Sequence, residues 1–268
     1  MSRLPQDPGW VREHVVKRIF IWQFEEGDWA HGGNFVNMVG TRTRHSDDPL
    51  NPLFILARYV RETGDYSILD EVTPYAHTDG KKTDTVYNHV IRGIEYFFTQ
   101  FSERGLPLIL KADWNDALDQ VGNQGKGDSV MLAGWAIYCI REFFTCMEHK
   151  GDTNRIADYE ARLTKLAETV NRIAWDGEWY QRAMHDSGWI IGTHENAYGK
   201  IWVNPNSFAI VSGIADEQRR RKIYESFDKY LDHELGSYTF YPPFAEPEPR
   251  AGIISRFAPG TKENGAIF

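Results

Sequence analysis

The chain has 268 residues and a formal net charge of −8, with 41% hydrophobic and 14% aromatic residues. That length suits one large domain or two small ones. The acidic balance, in which Arg219-Arg220-Arg221-Lys222 is the single basic run, argues against a nucleic-acid partner. Helical periodicity dominates the chain. Val11 to Phe20 reads as a short helix. Asp48 to Thr63 carries Leu53, Leu56, Ala57 and Val60 at helical spacing and stops at Gly64-Asp65. Thr85 to Phe101 repeats the pattern. Ser129 to Met147 is long and apolar, with Asp128 as the expected N-cap. Further helices are expected from Asp152-Thr153 to Ala174, from Asn206 to Ile214, and from Asp216 to Leu235. Glu178–Arg182 and Gly188–Ile191 suit a short hairpin, and Tyr241 to Pro249 a proline-rich loop. Such helix pairs, joined by loops rich in Gly, Asp, Asn and Trp, suggest an all-α toroid with loops lining a cleft.

Cys139 and Cys146 lie about 10 Å apart along one helix at 1.5 Å per residue, too far for a mutual disulfide. The start lacks an apolar leader segment, and no stretch of 18 consecutive apolar residues occurs. A cytoplasmic protein with no membrane partner is expected. The nine histidines show no HExxH or comparable spacing, so no metal site is expected. His31 and His45 are placed near a cleft. Gly122–Asp128 is glycine-rich without phosphate-loop spacing and reads as a flexible cleft loop.

The chemistry concentrates in Leu108–Asp119, where three carboxylates, an amide and an indole follow an apolar run. Burying such groups is costly without partners or a ligand. An indole can cover a sugar face while a neighbouring acid reaches an oxygen, and an apolar wall keeps that acid protonated near neutral pH. The simpler alternative has Asp113 or Asn115 capping a turn, with Trp114 in the core. Gly40–Leu50 gathers Arg42, Arg44, His45, Asp47 and Asp48 before a helix. The guanidinium fork suits phosphate or carboxylate. Here the simpler alternative has Ser46 or Asp47 as N-cap with Pro49 in the first turn. Lys262-Glu263-Asn264, between glycines, is a third polar turn.

Arg42–Asp48, Ala112–Asp116 and Lys262–Phe268 together resemble glycoside hydrolase family 94, the inverting cellobiose, cellodextrin and chitobiose phosphorylases. Gln23-Phe24 with Gly27-Asp28, and Thr63-Gly64-Asp65 with Leu69-Asp70-Glu71, add to the resemblance. It implies an (α/α)6 barrel catalytic domain over residues 1–268, only partly spanned by the roughly seven helices read here. It also implies that the family's N-terminal β-sandwich and a phosphate-binding histidine past Phe268 lie outside this sequence. Turnover by these residues alone is therefore expected to be weak or absent.

By the same resemblance, Asp116 is the general acid and Asp113 a supporting carboxylate. Trp114 and Asp48 contact the donor sugar, Lys262 and Glu263 face the acceptor side, and Arg42 with Arg44 holds phosphate. Inorganic phosphate is the co-substrate, no further cofactor is needed, and a homodimer is the family expectation. The substrate is a β-linked glucosyl or N-acetylglucosaminyl di- or oligosaccharide. Two other readings are an α-toroid hydrolase, with Glu195 or Glu263 as base, and a non-catalytic carbohydrate-binding remnant.

Overall fold

The computed structural model describes residues 3–34 and 39–267. It divides into two compact units, residues 1–100 with 139–161 and residues 101–138 with 162–268. In the first unit the Asp7 side chain accepts from the Trp10 amide and caps α1 (Pro8–Val11). A π-helical turn (Arg12–Val16) leads into α2 (Lys17–Phe20). The helix expected from Val11 thus starts a turn earlier, because Asp7-Pro8 supplies both cap and first-turn proline. β1 (Gly32–Asn34) pairs antiparallel with β2 (Val39–Thr41).

Helix α3 (Leu50–Thr63) buries Leu50, Leu53, Leu56, Ala57 and Val60 on one face. Gly64 then ends it in the left-handed conformation. Its N-cap is Pro49, which makes no side-chain cap bond, in place of the expected Ser46 or Asp47. Asp47 acts through its carbonyl, which accepts from Leu50 N at 2.9 Å. A 3-10 turn (Tyr66–Asp70) precedes the pair β3 (Val72–Pro74) and β4 (Thr83–Thr85). Thr85 then caps α4 (Val86–Thr99) by accepting from Asn88 N.

His89 of α4 is fully buried. Gln23 spends its Nε2 on the carbonyls of Gly27 and His89, so its Oε1 faces His89 Nδ1 and accepts from it. Burial lowers the His89 pKa to about 4. The unfolded chain binds that proton from about pH 6.5 downward, so this contribution to stability is full above 6.5 and is lost as pH falls toward 4. The stability difference between wild type and His89→Asn should therefore shrink as pH drops from 6.5 to 4, by up to about 3 kcal/mol. Denaturant titrations across that window test this, and a constant difference would contradict it.

In the second unit β5 (Asp128–Ser129), β6 (Ala183–Met184) and β7 (Ile190–Ile191) form a three-stranded antiparallel sheet, in which the first strand of the expected hairpin lies just past Glu178–Arg182 and the second falls within Gly188–Ile191. α5 (Val130–His149) and α6 (Thr153–Ile173) follow β5 and supply residues to both units. α5 meets the length and hydropathy of a bilayer-spanning helix, yet 67% of its apolar window is buried, as in a core helix. β8 (Ile201–Trp202) leads into α7 (Val203–Val211), and Asp216 caps α8 (Glu217–Tyr230). α8 ends five residues before the expected Leu235. The chain turns after the buried Leu231 into β9 (Asp232–His233) and β10 (Gly236–Ser237), leaving Leu235 exposed. β11 (Phe240–Tyr241) pairs with β8 and stacks Phe240 on Trp202 at 3.9 Å. These rings, with Ile109, Leu118, Val121, Ile191 and Phe244, form the core beneath the polar loops of this unit. Each such buried side chain contributes roughly 1.5–3 kcal/mol.

Candidate active site

The loop that follows Ile109 forms no helix. It is organised around the fully buried Asp113. Arg182, just before β6, donates NH2 to Asp113 Oδ1 at 2.6 Å and NH1 to Oδ2 at 2.7 Å. Ser129 Oγ donates to Oδ2 at 2.6 Å, and the Asn115 amide to Oδ1 at 3.0 Å. Burial works against the carboxylate, but the Arg182 charge and these hydrogen bonds outweigh it and hold the Asp113 pKa below its usual range. Asn115 Oδ1 accepts from Ala117 N and closes the next turn.

Two neighbouring residues therefore point outward. Trp114 is 50% exposed, so the alternative that put it in the core fails. Asp116 is exposed as well, so the expected wall around the acid is not provided by its own loop. The local reason is the same for both: Asp113 and Asn115 take the inward positions, and their neighbours alternate away.

Ser129, not Asp128, caps α5, since its Oγ accepts from Leu132 N. Asp128 is buried elsewhere, accepting from Ser102 Oγ at 2.9 Å. Burial raises its pKa to about 6, only partly opposed by Arg104 and Ser102.

A second segment is laced to the acid loop. Ile253 N donates to Asp119 Oδ1 and Ile254 N to the Ala117 carbonyl, both at 3.0 Å. Gly252 makes this approach feasible, at φ 104° and with Asp119 Oδ1 only 2.1 Å from where a Cβ would stand. Gly252→Ala should destabilise the unit by at least about 1 kcal/mol through strain alone. A melting temperature within a degree of wild type would contradict this.

The Lys262-Glu263-Asn264 turn hangs on Asn264, which is fully buried. Its Oδ1 accepts from Phe244 N, and its Nδ2 donates to the carbonyls of Phe244 and Phe257. That anchoring leaves Lys262 exposed, with Nζ 4.6 Å from the Phe257 ring centre, and Glu263 half-buried. The glycine-rich loop is also pinned. The Asp186 carboxylate accepts from the amides of Gln124, Lys126 and Gly127, which corrects the expectation of a flexible loop.

In the first unit Arg42 forms a two-pronged pair with the buried Asp28, Nε to Oδ2 at 2.7 Å and NH2 to Oδ1 at 2.6 Å. Glu26 Oε2 lies 3.1 Å from NH2, and the Phe24 ring lies under the guanidinium. Gly27, at φ 116°, turns the chain so that Asp28 can face Arg42, where a side chain would strike Arg92 and Tyr96. Arg44 is exposed with φ 63°. Asp48 is buried and meets His31 Nδ1 through Oδ1 at 3.0 Å. His31 stacks on His45 at 3.9 Å, and His45 Nδ1 lies 2.7 Å from Thr43 Oγ1.

The structure thus places Arg42, Arg44 and Asp48 in the first unit, and Trp114, Asp116, Lys262 and Glu263 in the second. Arg182 and the role of Ser129 escaped the sequence reading. An arginine with ordinary neighbours 69 residues from its partner carries no local signal.

Residues 14–268 match the family described as glycosyl hydrolase 94 superfamily, catalytic domain. The chain belongs to this family. Among curated glycosyl hydrolase 94 relatives, it is 35% identical over 231 residues to N,N'-diacetylchitobiose phosphorylase of Vibrio furnissii, covering 85% of this chain and 28% of that protein. It is 32% identical over 262 residues to solabiose phosphorylase of Paenibacillus borealis, covering 97% of this chain and 33% of that protein. The chain thus spans about a third of the length of the curated relatives it matches. The rhamnosidase from Klebsiella oxytoca, solved with rhamnose bound, shares the fold with a TM-score of 0.58 at 15% identity, over 80% of this chain and 37% of that one.

Proposed function

We propose that this glycosyl hydrolase 94 chain carries the general acid and sugar-binding groups for inverting phosphorolysis of a β-linked di- or oligosaccharide. The observation that carries the reading is the presentation of Asp116 and half-exposed Trp114 by a loop fixed on the buried Asp113–Arg182 pair. Two relatives named as phosphorylases support it. They are named for different sugars, so the donor unit, linkage and acceptor are left open. Asp116 protonates the glycosidic oxygen, the bond from that oxygen to the anomeric carbon breaks, and a phosphate oxygen attacks the carbon from the opposite face. The product is an α-sugar 1-phosphate and a shortened sugar, and Asp116 is left as carboxylate to be reprotonated from solvent. Because phosphate is already a nucleophilic anion, no second carboxylate has to activate water. The binding of sugar over Trp114 supplies the shielding that the bare loop lacks.

Arg42 supplies positive charge for phosphate, and Asp28 fixes the plane of its guanidinium. The anion then takes the place of Glu26 at the edge of that group. Asp48 binds donor hydroxyls, and Lys262 and Glu263 serve the acceptor. The helices are read as part of an (α/α)6 toroid, a reading supported by the family match and the rhamnosidase likeness. Incubation with α-glucose 1-phosphate and a panel of glucosyl and N-acetylglucosaminyl acceptors, with release of phosphate as readout, tests the activity. Weak release that requires an acceptor is the expected result for these residues alone. Sugar cleavage that proceeds without phosphate would replace this reading by hydrolysis.

A further inference from the structure

We propose that His31, His45 and Asp48 form a binding site for a divalent transition-metal ion of the zinc class. Thirteen residues, the β1–β2 pair among them, lie between the two histidines, so no spacing motif betrays them, but the fold returns the chain to the same place. One ligand atom from each of the three residues lies within 4.8 Å of the others. A tetrahedral zinc ion with bonds of about 2.1 Å holds its ligand atoms about 3.4 Å apart. The His31–Asp48 separation of 3.0 Å is already near that value.

Two imidazoles and one carboxylate form a donor set that zinc and its neighbours favour over magnesium or calcium, which prefer all-oxygen cages. The two rings stack at 3.9 Å, which holds both imidazoles in the cluster. The Thr43 hydroxyl supplies the outer support. With His45 Nδ1–H donating to Thr43 Oγ1, Nε2 is the ring nitrogen whose lone pair would ligate. Asp48 is buried at the inner end of the cluster, while His31 is exposed at the outer end, so an ion reaches the site from solvent. Its fourth position is left to water. Binding displaces the proton shared between His31 and Asp48 to solvent. A bound ion also engages the carboxylate assigned above to the donor sugar, so ion and sugar compete; that consequence alone rests on the proposed role of Asp48.

Titration of the purified chain with Zn²⁺ against a chromophoric chelator, and with Co²⁺ by visible absorption, tests the site without any need for turnover. One ion per chain is expected, with the absorption of a low-coordinate cobalt centre. His31→Ala and His45→Ala should each weaken binding at least about tenfold, and Thr43→Val about tenfold through the lost support. His14→Ala, outside the cluster, should change nothing. His45→Gln keeps the shape of the side chain and serves if the alanine variant fails to fold by circular dichroism. Absence of binding, or equal binding by wild type and the His31→Ala/His45→Gln double variant, overturns the proposal.

Discussion

Asp116→Asn should lower phosphate release from α-glucose 1-phosphate by about 10²–10⁴-fold, the usual contribution of a positioned general acid. The amide keeps the size of the side chain and can still meet a sugar oxygen, but it has no proton to give. Because Asp116 is exposed, the substitution should leave the melting temperature within a degree or two of wild type. Sugar binding, followed through Trp114 fluorescence, should survive it. The combination of intact fold, intact binding and lost transfer separates an acid from a structural carboxylate. A variant as active as wild type would remove Asp116 from the mechanism. Loss of binding together with loss of rate would recast it as a sugar ligand.

The largest effect on stability is expected at Arg182. Removing the guanidinium by Arg182→Met leaves Asp113 fully buried with no countercharge, and stripping one partner from a buried pair typically costs about 3–5 kcal/mol. Ser129 and the Asn115 amide would remain as hydrogen-bond donors to the carboxylate, which keeps the loss from being larger. Chemical denaturation of the single variant and of Arg182→Met/Asp113→Asn decides the cause. The double variant should recover part of the loss, because the neutral amide tolerates burial far better than a lone carboxylate. A single variant within about 1 kcal/mol of wild type would show that the pair is not what holds the loop. Activity should fall along with stability here, since Trp114 and Asp116 are aimed only as long as Asp113 stays inward.

The elements with strong local signals were legible before the fold was known. The spacing of Leu53, Leu56 and Val60 predicts α3, and Asp216 and Gly64 mark a true start and a true end. Boundaries moved where tertiary contacts decided them. α8 gives way to the β9–β10 hairpin instead of reaching Leu235, and Ser129 takes the capping role from Asp128 because the Asp113–Arg182 cluster needs its hydroxyl. The polar strings at Arg42, Asp116 and Lys262 stood out because such density of charge is uncommon next to apolar runs. What each member does locally was not legible. That Asp113 faces inward and Asp116 outward depends on Arg182, and that Arg42 is held by Asp28 depends on a turn made by Gly27. The His31–His45–Asp48 cluster is legible only after β1 and β2 pair.

Asn264-Gly265 is the kind of dipeptide that ages by deamidation, the glycine nitrogen attacking the side-chain amide, and asparagine is among the residues most vulnerable to heat. In the folded chain both reactants are engaged. The amide of Asn264 is bonded to Phe244 and Phe257, and the Gly265 nitrogen donates to the Glu263 carbonyl. Chemical ageing at this position therefore proceeds through molecules that have opened, and each event is self-sealing. The aspartate formed has no hydrogens to offer the two phenylalanine carbonyls, so an altered molecule cannot close the turn that carries Lys262 and Glu263.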